Sequence, residues 1–385
     1  MKKTDILAVN PGSTSTKVGV FRCQAAKGCG CGAARGTSGL AGGDGGSGLS
    51  SLTEVFVETI NHNPNHLLEF ENLEAQLPYR KEVIQSVLND KNYDMSRLMA
   101  VVGRGGQVYG LKSGGYKVTP NFCQDMMSPQ NVQHASNLGA PLAYQLAEPF
   151  GIPSFIYDST RGCELSDVAK VSGFDGLVRF GNAHVLNSRA QGINYAASIG
   201  REYKDLNLIV AHMGGGITVT AHQDGRIIDD SSYDEGPMSP ERTGGIQLTT
   251  WTQLCYSGKY TEEEAQKIIC GKGGLFSYLG VTDCRQVEKM IAEGDQRAAT
   301  VYEAMAYQVA KSIAAMTVPL KGHVDAIILT GGAAHSKMLT GMIQGYAGHL
   351  GQFVLMPGED ELEALAAGAA RIMEGKEDAN EYNPL

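Results

Sequence analysis

Residues Leu7 to Phe21 read LAVNPGSTSTKVGVF. A short apolar run ends at Asn10 and Pro11. Gly12, Ser13, Thr14, Ser15, Thr16 and Lys17 follow, and Val18 to Phe21 is apolar again. The pattern predicts a strand, a tight turn and a second strand. Such a turn gathers backbone N–H groups, small hydroxyls and one ammonium in a small space, which suits a phosphate. A hairpin turn that is merely polar fits the same letters. Two other phosphate loops fail on spacing. A dinucleotide fingerprint needs three glycines opening a helix, and a Walker A loop needs Gly-Lys-Ser/Thr with a helix directly after it. Here Lys17 leads back into a strand.

A second copy of the pattern lies roughly half a chain away, at Leu208 to Asp224, LIVAHMGGGITVTAHQD. His212 stands where Asn10 stood, and Gly214, Gly215 and Gly216 leave the backbone open to close approach by a ligand. Recurrence at this distance points to a duplicated domain, because solenoid repeats recur every ~20–50 residues. Two such turns facing across a cleft would hold both ends of a polyphosphate.

The chain has 385 residues, 42% hydrophobic and 19% charged, with a net charge of -9. That length suits two domains of roughly 150–200 residues each. The acidic balance argues against a general nucleic-acid binder and for a soluble protein with local basic pockets. No apolar run approaches the roughly 18 residues of a membrane span, and the few apolar residues after Lys3 make a poor signal peptide. Eight cysteines, mostly scattered, fit free thiols in a reducing cytoplasm.

Residues 22–51 are Gly-rich with almost no large apolar residues, and are expected to form a flexible insertion joining two strands. Cys23, Cys29 and Cys31 lie in it. They offer three ligands with no His nearby, one short of a zinc site, so exposed insertion is the preferred reading. Glu54 to Ile60 alternates as a third strand, and His66 to Asn89 is largely helical, with Val83, Ile84, Val87 and Leu88 at helical spacing. Leu98 to Val102 is a strand leading into Gly103-Arg104-Gly105-Gly106. An Arg among glycines there suits an anion or is a solvated turn residue. Asn131 to Phe150 is expected to be a helix broken by Gly139 and Pro141. Asp158 follows the strand Ser154 to Tyr157, as a ligand or as a cap. A helix begins near His184 and closes at Gly200. Asp229 to Gly245 is a loop carrying Glu241 and Arg242, placed to carry function. Arg297 to Val318 is a long helix. Val324 to Leu329 is a buried strand ending at Thr330-Gly331-Gly332. The last helix, Glu359 to Glu374, opens on acidic residues that complement its dipole.

Assembled, these stretches resemble the acetokinase family over almost the whole chain, and within it the members that act on butyrate. NPGSTSTKVGVF is similar to the family's first phosphate motif, VVGRGGQVYG to its substrate-side strand and loop, and HMGGGITV to its second phosphate motif. LTGGAAHS is similar to its adenosine motif and PGEDELEALAAGA to its last helix. The acetate-directed members have His at the place of Arg104 and Arg at the place of Val101. The resemblance implies an α/β fold of duplicated actin-like (ribonuclease H-like) domains. Each would be a five-stranded mixed sheet with flanking helices, with an ATP cleft between them. Residues 1–155 would form the first and 156–385 the second, with the last helix, 359–374, packing back toward the first.

The resemblance further implies that Asn10, Ser13, Ser15 and Lys17 lie near the transferred phosphoryl group. His212 and Gly214 to Gly216 would hold the other phosphates, and Gly331 and Gly332 would lie against adenosine. Asp158 and Glu361 would stand near Mg²⁺ through its waters. Arg242, Arg104 and His184 would surround the carboxylate and the moving phosphate. The expected reaction is reversible, in-line, Mg²⁺-dependent transfer between ATP and butyrate, giving butyryl phosphate and ADP. A carboxylate acceptor needs no general base, only cations to bring two like charges together. Branched acids, acetate or propionate are alternatives, as is a sugar kinase using Asp158 as base. Chaperone and filament readings carry little weight, a chaperone because the length leaves no room for a peptide-binding domain. The expected partners are small molecules and a second copy of the chain, with no nucleic acid or membrane.

Overall fold

Residues 3–24 and 52–383 are described by the computed structural model. Cys29, Cys31 and most of the expected insertion lie outside the described residues. Arg22 and Cys23, read as the start of that insertion, instead continue a strand, and Arg22 Nε donates to Asp5 Oδ1 at 3.0 Å.

The strand–turn–strand of the first motif is β1 (Asp5–Pro11) and β2 (Ser15–Cys23), antiparallel. β3 (Leu52–Asn61) pairs antiparallel with β2. β4 (Leu98–Arg104) is parallel to β1, and β6 (Ser154–Tyr157) is parallel to β4. A short edge strand, β5 (Gly115–Lys117), pairs antiparallel with β6, so this sheet has six strands in the order β3-β2-β1-β4-β6-β5, one more than expected. The second sheet repeats the first five. β7 (Leu208–Met213), β8 (Ile217–Gln223) and β9 (Arg226–Ser231) form the antiparallel part. β10 (Ala326–Gly331) and β11 (Phe353–Pro357) are the parallel additions, giving the order β11-β10-β7-β8-β9.

Period-two alternation assigns each face of both sheets to its own core. Leu7 and Val9 face the helices Leu77–Asp90 and Gly139–Ala147, while Ile6 and Ala8 face the last helix, Glu361–Met373, through Leu362, Leu365, Ala366 and Ala369. In the second sheet Ile209, Ala211, Ile327 and Leu329 pack on the helices Gln296–Met316 and Lys337–Ala347. Leu208, Val210, Ala326 and Ile328 pack with Tyr195 and Ala196 of the helix Val185–Ser198. The chain's final helix therefore covers the first sheet, and Leu186 of the helix Val185–Ser198 joins the same core. These two inner helices touch one another. Among the described residues no helix is long and apolar enough to cross a membrane.

The helix expected over Asn131 to Phe150 begins only at Gly139. Gly139 does not break it; it lets the helix start hard against β4. A Cβ on Gly139 would collide with the Arg104 carbonyl oxygen, and one on Gly103 would collide with the Gly139 carbonyl oxygen. Gly341 sits inside the helix Lys337–Ala347 with open space where a Cβ would go. The same substitution is therefore expected to act in opposite directions. Gly139→Ala should cost about 3 kcal/mol or more through backbone overpacking, whereas Gly341→Ala should gain about 0.5–1 kcal/mol from helix entropy. Urea midpoints of the two variants check both signs.

Candidate active site

The two turns occupy equivalent places in their sheets. Asn10 lies opposite Lys17 across β1–β2, and His212 lies opposite Thr218 across β7–β8. On the parallel side Val9 pairs with Gly103, which puts Arg104 beside Asn10 at the strand ends, and Thr330 pairs with His212.

Glu361, the first residue of the last helix, meets the first of these ends. Its carboxylate accepts from Asn10 Nδ2 at 2.5 Å and forms an ion pair with Arg104. Burial alone would raise its pKa. Arg104, Lys17 and the Asn10 amide outweigh burial and hold the carboxyl below its ordinary range. Glu359, two residues before, behaves oppositely: burial and the neighbouring Glu361 charge raise its pKa, against Lys17 and Arg104.

The second strand end carries a histidine pair. His184, at the N-cap of the helix Val185–Ser198, stacks on His212 with ring centroids 3.9 Å apart and planes 16° apart. His212 Nδ1 is 2.9 Å from Asn187 Oδ1, and its Nε2 is 3.4 Å from Glu359. Asn187 also receives the Thr330 hydroxyl at 3.2 Å, joining β10 to the pair. His184 Nδ1 lies 2.9 Å from the Thr218 hydroxyl. Burial pulls the His212 pKa down to about 4; Glu361 opposes this, and Arg104 and Arg242 add to it. Burial, then His212, Arg242 and Arg104, hold His184 well below its ordinary value. Both rings are therefore neutral near pH 7. As an imidazole His184 can still donate one N–H. The inner helices both start here, so their positive dipole ends are directed at this cleft.

Arg242 lies over the glycine turn. A side chain at Gly216 would run into its guanidinium, and its Cζ is 5.8 Å from the Tyr233 ring centroid. The arm that carries it is fixed by Ser239 Oγ donating to Gly215 O at 2.7 Å and by Glu241 N donating to the same oxygen at 3.2 Å. Neither Arg242 nor Lys17 has an acidic partner within 4.0 Å among the described residues. A cavity of about 850 Å³ runs on from the turn, lined among others by Gly214, Gly215, Glu359, Gly332, Asp283 and Glu288. Gly332 opens onto it. Gly331, with φ 85°, is pressed against the Met213 carbonyl, which gives this glycine a packing role.

Asp158 is held by partners that its position in the chain does not reveal. It is 1% exposed, in left-handed backbone (φ 47°), ion-paired to Arg189, and accepts the Gly114 N–H at 2.7 Å. Burial raises its pKa and Arg189 opposes that. It lines the same narrow cavity as Glu361 and Asn187, but it is already bonded and lacks the access to an acceptor that a general base needs. Residues that reading the sequence missed include Glu359, Asn187, Thr218 and Arg189. Their only linear signal was adjacency: Glu359 sits two places before Glu361, and Asn187 and Arg189 follow His184 by three and five.

Residues 179–343 match the model of the Acetokinase family. Over 382 residues the chain is 40% identical to Butyrate kinase 2 of Clostridium acetobutylicum, covering 99% of both proteins. It is 39% identical over 380 residues to a probable butyrate kinase of Listeria monocytogenes, covering 98% of this chain and 99% of that one. Its fold is similar to the acetate kinase of Porphyromonas gingivalis (TM-score 0.73, 18% identity, 97% and 100% of the two chains). It is also similar to a propionate kinase of Francisella tularensis (TM-score 0.69, 17% identity, 95% and 98%).

The buried histidines fix how stability depends on pH. His212 and His62 are pulled to about 4 and His222 to about 3, in each case first by burial, from 6.5. Folded-state values below the unfolded one mean that the unfolded chain takes up protons first as pH falls. The histidine contribution should be full above about pH 6.5 and fall progressively toward pH 4, outweighing Asp230, whose carboxyl burial raises to about 7 and whose contribution runs the other way. His222→Gln should flatten that slope by roughly one proton. Urea titrations at pH 7.5, 6 and 5 measure it, and a flat profile in the parent protein would contradict the histidine assignment.

Proposed function

The chain belongs to the acetokinase family, and on that premise we propose that it moves a phosphoryl group reversibly between ATP and butyrate, giving butyryl phosphate and ADP. The carrying observation is the charge pattern of the cleft. Lys17 from one half and Arg242 from the other have no acidic partner among the described residues, so they are available to a phosphate. The acceptor carboxylate is already ionised and needs only in-line positioning and charge compensation. We assign Lys17, Ser13 and Ser15 to the transferred phosphoryl group, and Arg242 and Arg104 to the carboxylate and the moving phosphate. We assign Gly214 and Gly215 to the other phosphates and the adjoining cavity to the adenosine. Neutral His184 is assigned as an N–H donor that holds its orientation through Thr218. The alcohol-directed alternative loses support, because its expected base, Asp158, is buried against Arg189.

The donor set also suits Mg²⁺. Burial, then the neighbouring Glu361 charge, raises the Glu359 pKa, so a cation beside this carboxylate would be favoured, while Glu361 already faces Arg104. Glu361 and Glu359 would hold a hydrated ion beside the phosphates, where it neutralises their charge. Asn10 fixes Glu361 in place for that task.

For the acyl chain we assign the aromatic side chains Tyr233, Tyr109 and Phe180. Tyr233 lies under the Arg242 guanidinium, and Tyr109 and Phe180 meet edge-on at 5.2 Å. Arg161 sits 4.5 Å over Tyr109, and these two line a cavity together with Phe180. Such a surface separates acids by about 1–3 kcal/mol per methylene, so isobutyrate, valerate and propionate should follow butyrate at reduced efficiency.

A hydroxylamine trap with ATP, Mg²⁺ and acids from acetate to valerate tests the reaction class. Hydroxamate should peak at butyrate. A peak at acetate keeps the chemistry and moves the substrate; turnover only with a sugar overturns the proposal. Arg242→Ala should lower kcat by about 100-fold or more while ADP affinity holds, as read by the same trap and by titration calorimetry.

A further inference from the structure

A second cation stands behind the first phosphate turn, and the chemistry assigned above does not use it. Arg80, in the first turn of the helix Leu77–Asp90, is 0% exposed. Among the described residues it has no carboxylate within 4.0 Å; all its bonds go to neutral acceptors. Nη1 donates to Gly12 O at 3.0 Å, to Ser15 O at 3.3 Å and to the Thr16 hydroxyl at 2.9 Å, and Nε donates to Gln76 Oε1 at 3.0 Å. A buried charge without a counter-ion is costly to the folded state. A helix in contact with this core would be served better by Leu or Met at that place.

The bonds have a directional consequence. In a trans peptide the carbonyl and the N–H point opposite ways. Arg80 draws the Gly12 carbonyl inward and so turns the Ser13 N–H outward. The Thr14 carbonyl is likewise taken by His62 N at 2.9 Å, which turns the Ser15 N–H the opposite way. Among the described residues the Ser13 and Thr14 N–H groups have no hydrogen-bond partner. Behind them Thr16 links on to His62 Nε2 at 2.8 Å, and His62 Nδ1 to the Tyr79 hydroxyl at 3.1 Å. Burial, then the Arg80 charge, lower the His62 pKa to about 4, so this ring adds no positive charge of its own.

We propose that Arg80 is a positioning residue for the transferred phosphoryl group: it orients the Gly12–Ser15 turn so that its N–H groups face the anion, and it lends that turn a buried positive charge that only the incoming phosphate offsets. The proposal rests on the assignment of this turn to the transferred group. It makes a selective prediction, because ATP and the acyl phosphate both carry that group and ADP does not. A merely structural role for Arg80 would disturb all three alike.

The test uses the full chain with Arg80→Met, which removes charge and bonds together, and Arg80→Lys, which keeps the charge and loses the fork. Calorimetry with ATP and with ADP, without acceptor, and KM for butyryl phosphate against ADP give the readouts. Arg80→Met should weaken ATP and butyryl phosphate by about tenfold or more and ADP by less than about twofold, with Arg80→Lys in between. Unchanged ATP affinity overturns the proposal, and so does parallel loss of ATP and ADP. If the Met variant does not fold, the Lys variant decides by the same ATP-to-ADP ratio. Parent protein without hydroxamate from any acid would count against the proposed reaction and leave the ATP-to-ADP comparison to judge Arg80 separately.

Discussion

The carboxylate of Glu361 is the constraint on which the cleft depends. It begins the last helix of the chain, yet it bonds Asn10 at the end of β1 and Arg104 at the end of β4, 351 and 257 residues away. Both bonds require that helix to lie across the first sheet, where Leu362, Leu365, Ala366 and Ala369 bury against Ile6, Ala8, Ala100 and Val102. The apolar contact supplies the energy and the carboxylate supplies the register. The same placement delivers Glu359 to His212 in the other half. One helix end thus touches both strand ends, and the charges of Lys17, Arg104 and Arg242 are set around it.

The duplicated halves keep the topology and diverge in what holds each turn. The first turn has polar side chains and a buried arginine behind it. The second has three glycines and an arginine laid over its surface. A glycine turn lets a ligand reach the backbone directly, but it has no side chains of its own to fix its shape. Ser239 and Glu241 supply that fixation from a neighbouring loop. The histidine pair shows the same economy. Its neutrality follows from burial beside two arginines, and its orientation from Thr218 and Asn187.

Strands, their pairing and the repeat were legible because alternation and turn residues are local signals. β1, β2, β7 and β8 fall where LAVN…KVGVF and LIVAHM…ITVTAHQ put them. What depends on distant neighbours was not legible. Gly139 was read as a helix breaker, since its reason is the nearby backbone of β4, which linear sequence does not show. Partners were also hidden from the linear chain: Asp158 meets Arg189, Gly331 packs on the Met213 backbone, and burial holds the His184 pKa well below its ordinary value. Arg80 left one linear trace, a charged residue in register with Ile84 and Leu88 on a buried stripe, and composition alone gives no ground for treating that as more than a solvated face.

The sequence by itself therefore determined the two strand–turn–strand units, the family resemblance and the kinds of residue at each turn, because these depend on neighbours a few positions apart. Tertiary structure decided which charges are paired, which are neutral and which are free. Those properties depend on desolvation and on partners brought from hundreds of residues away, and a pKa or an ion pair has no meaning until the burial and the distance that create it are set.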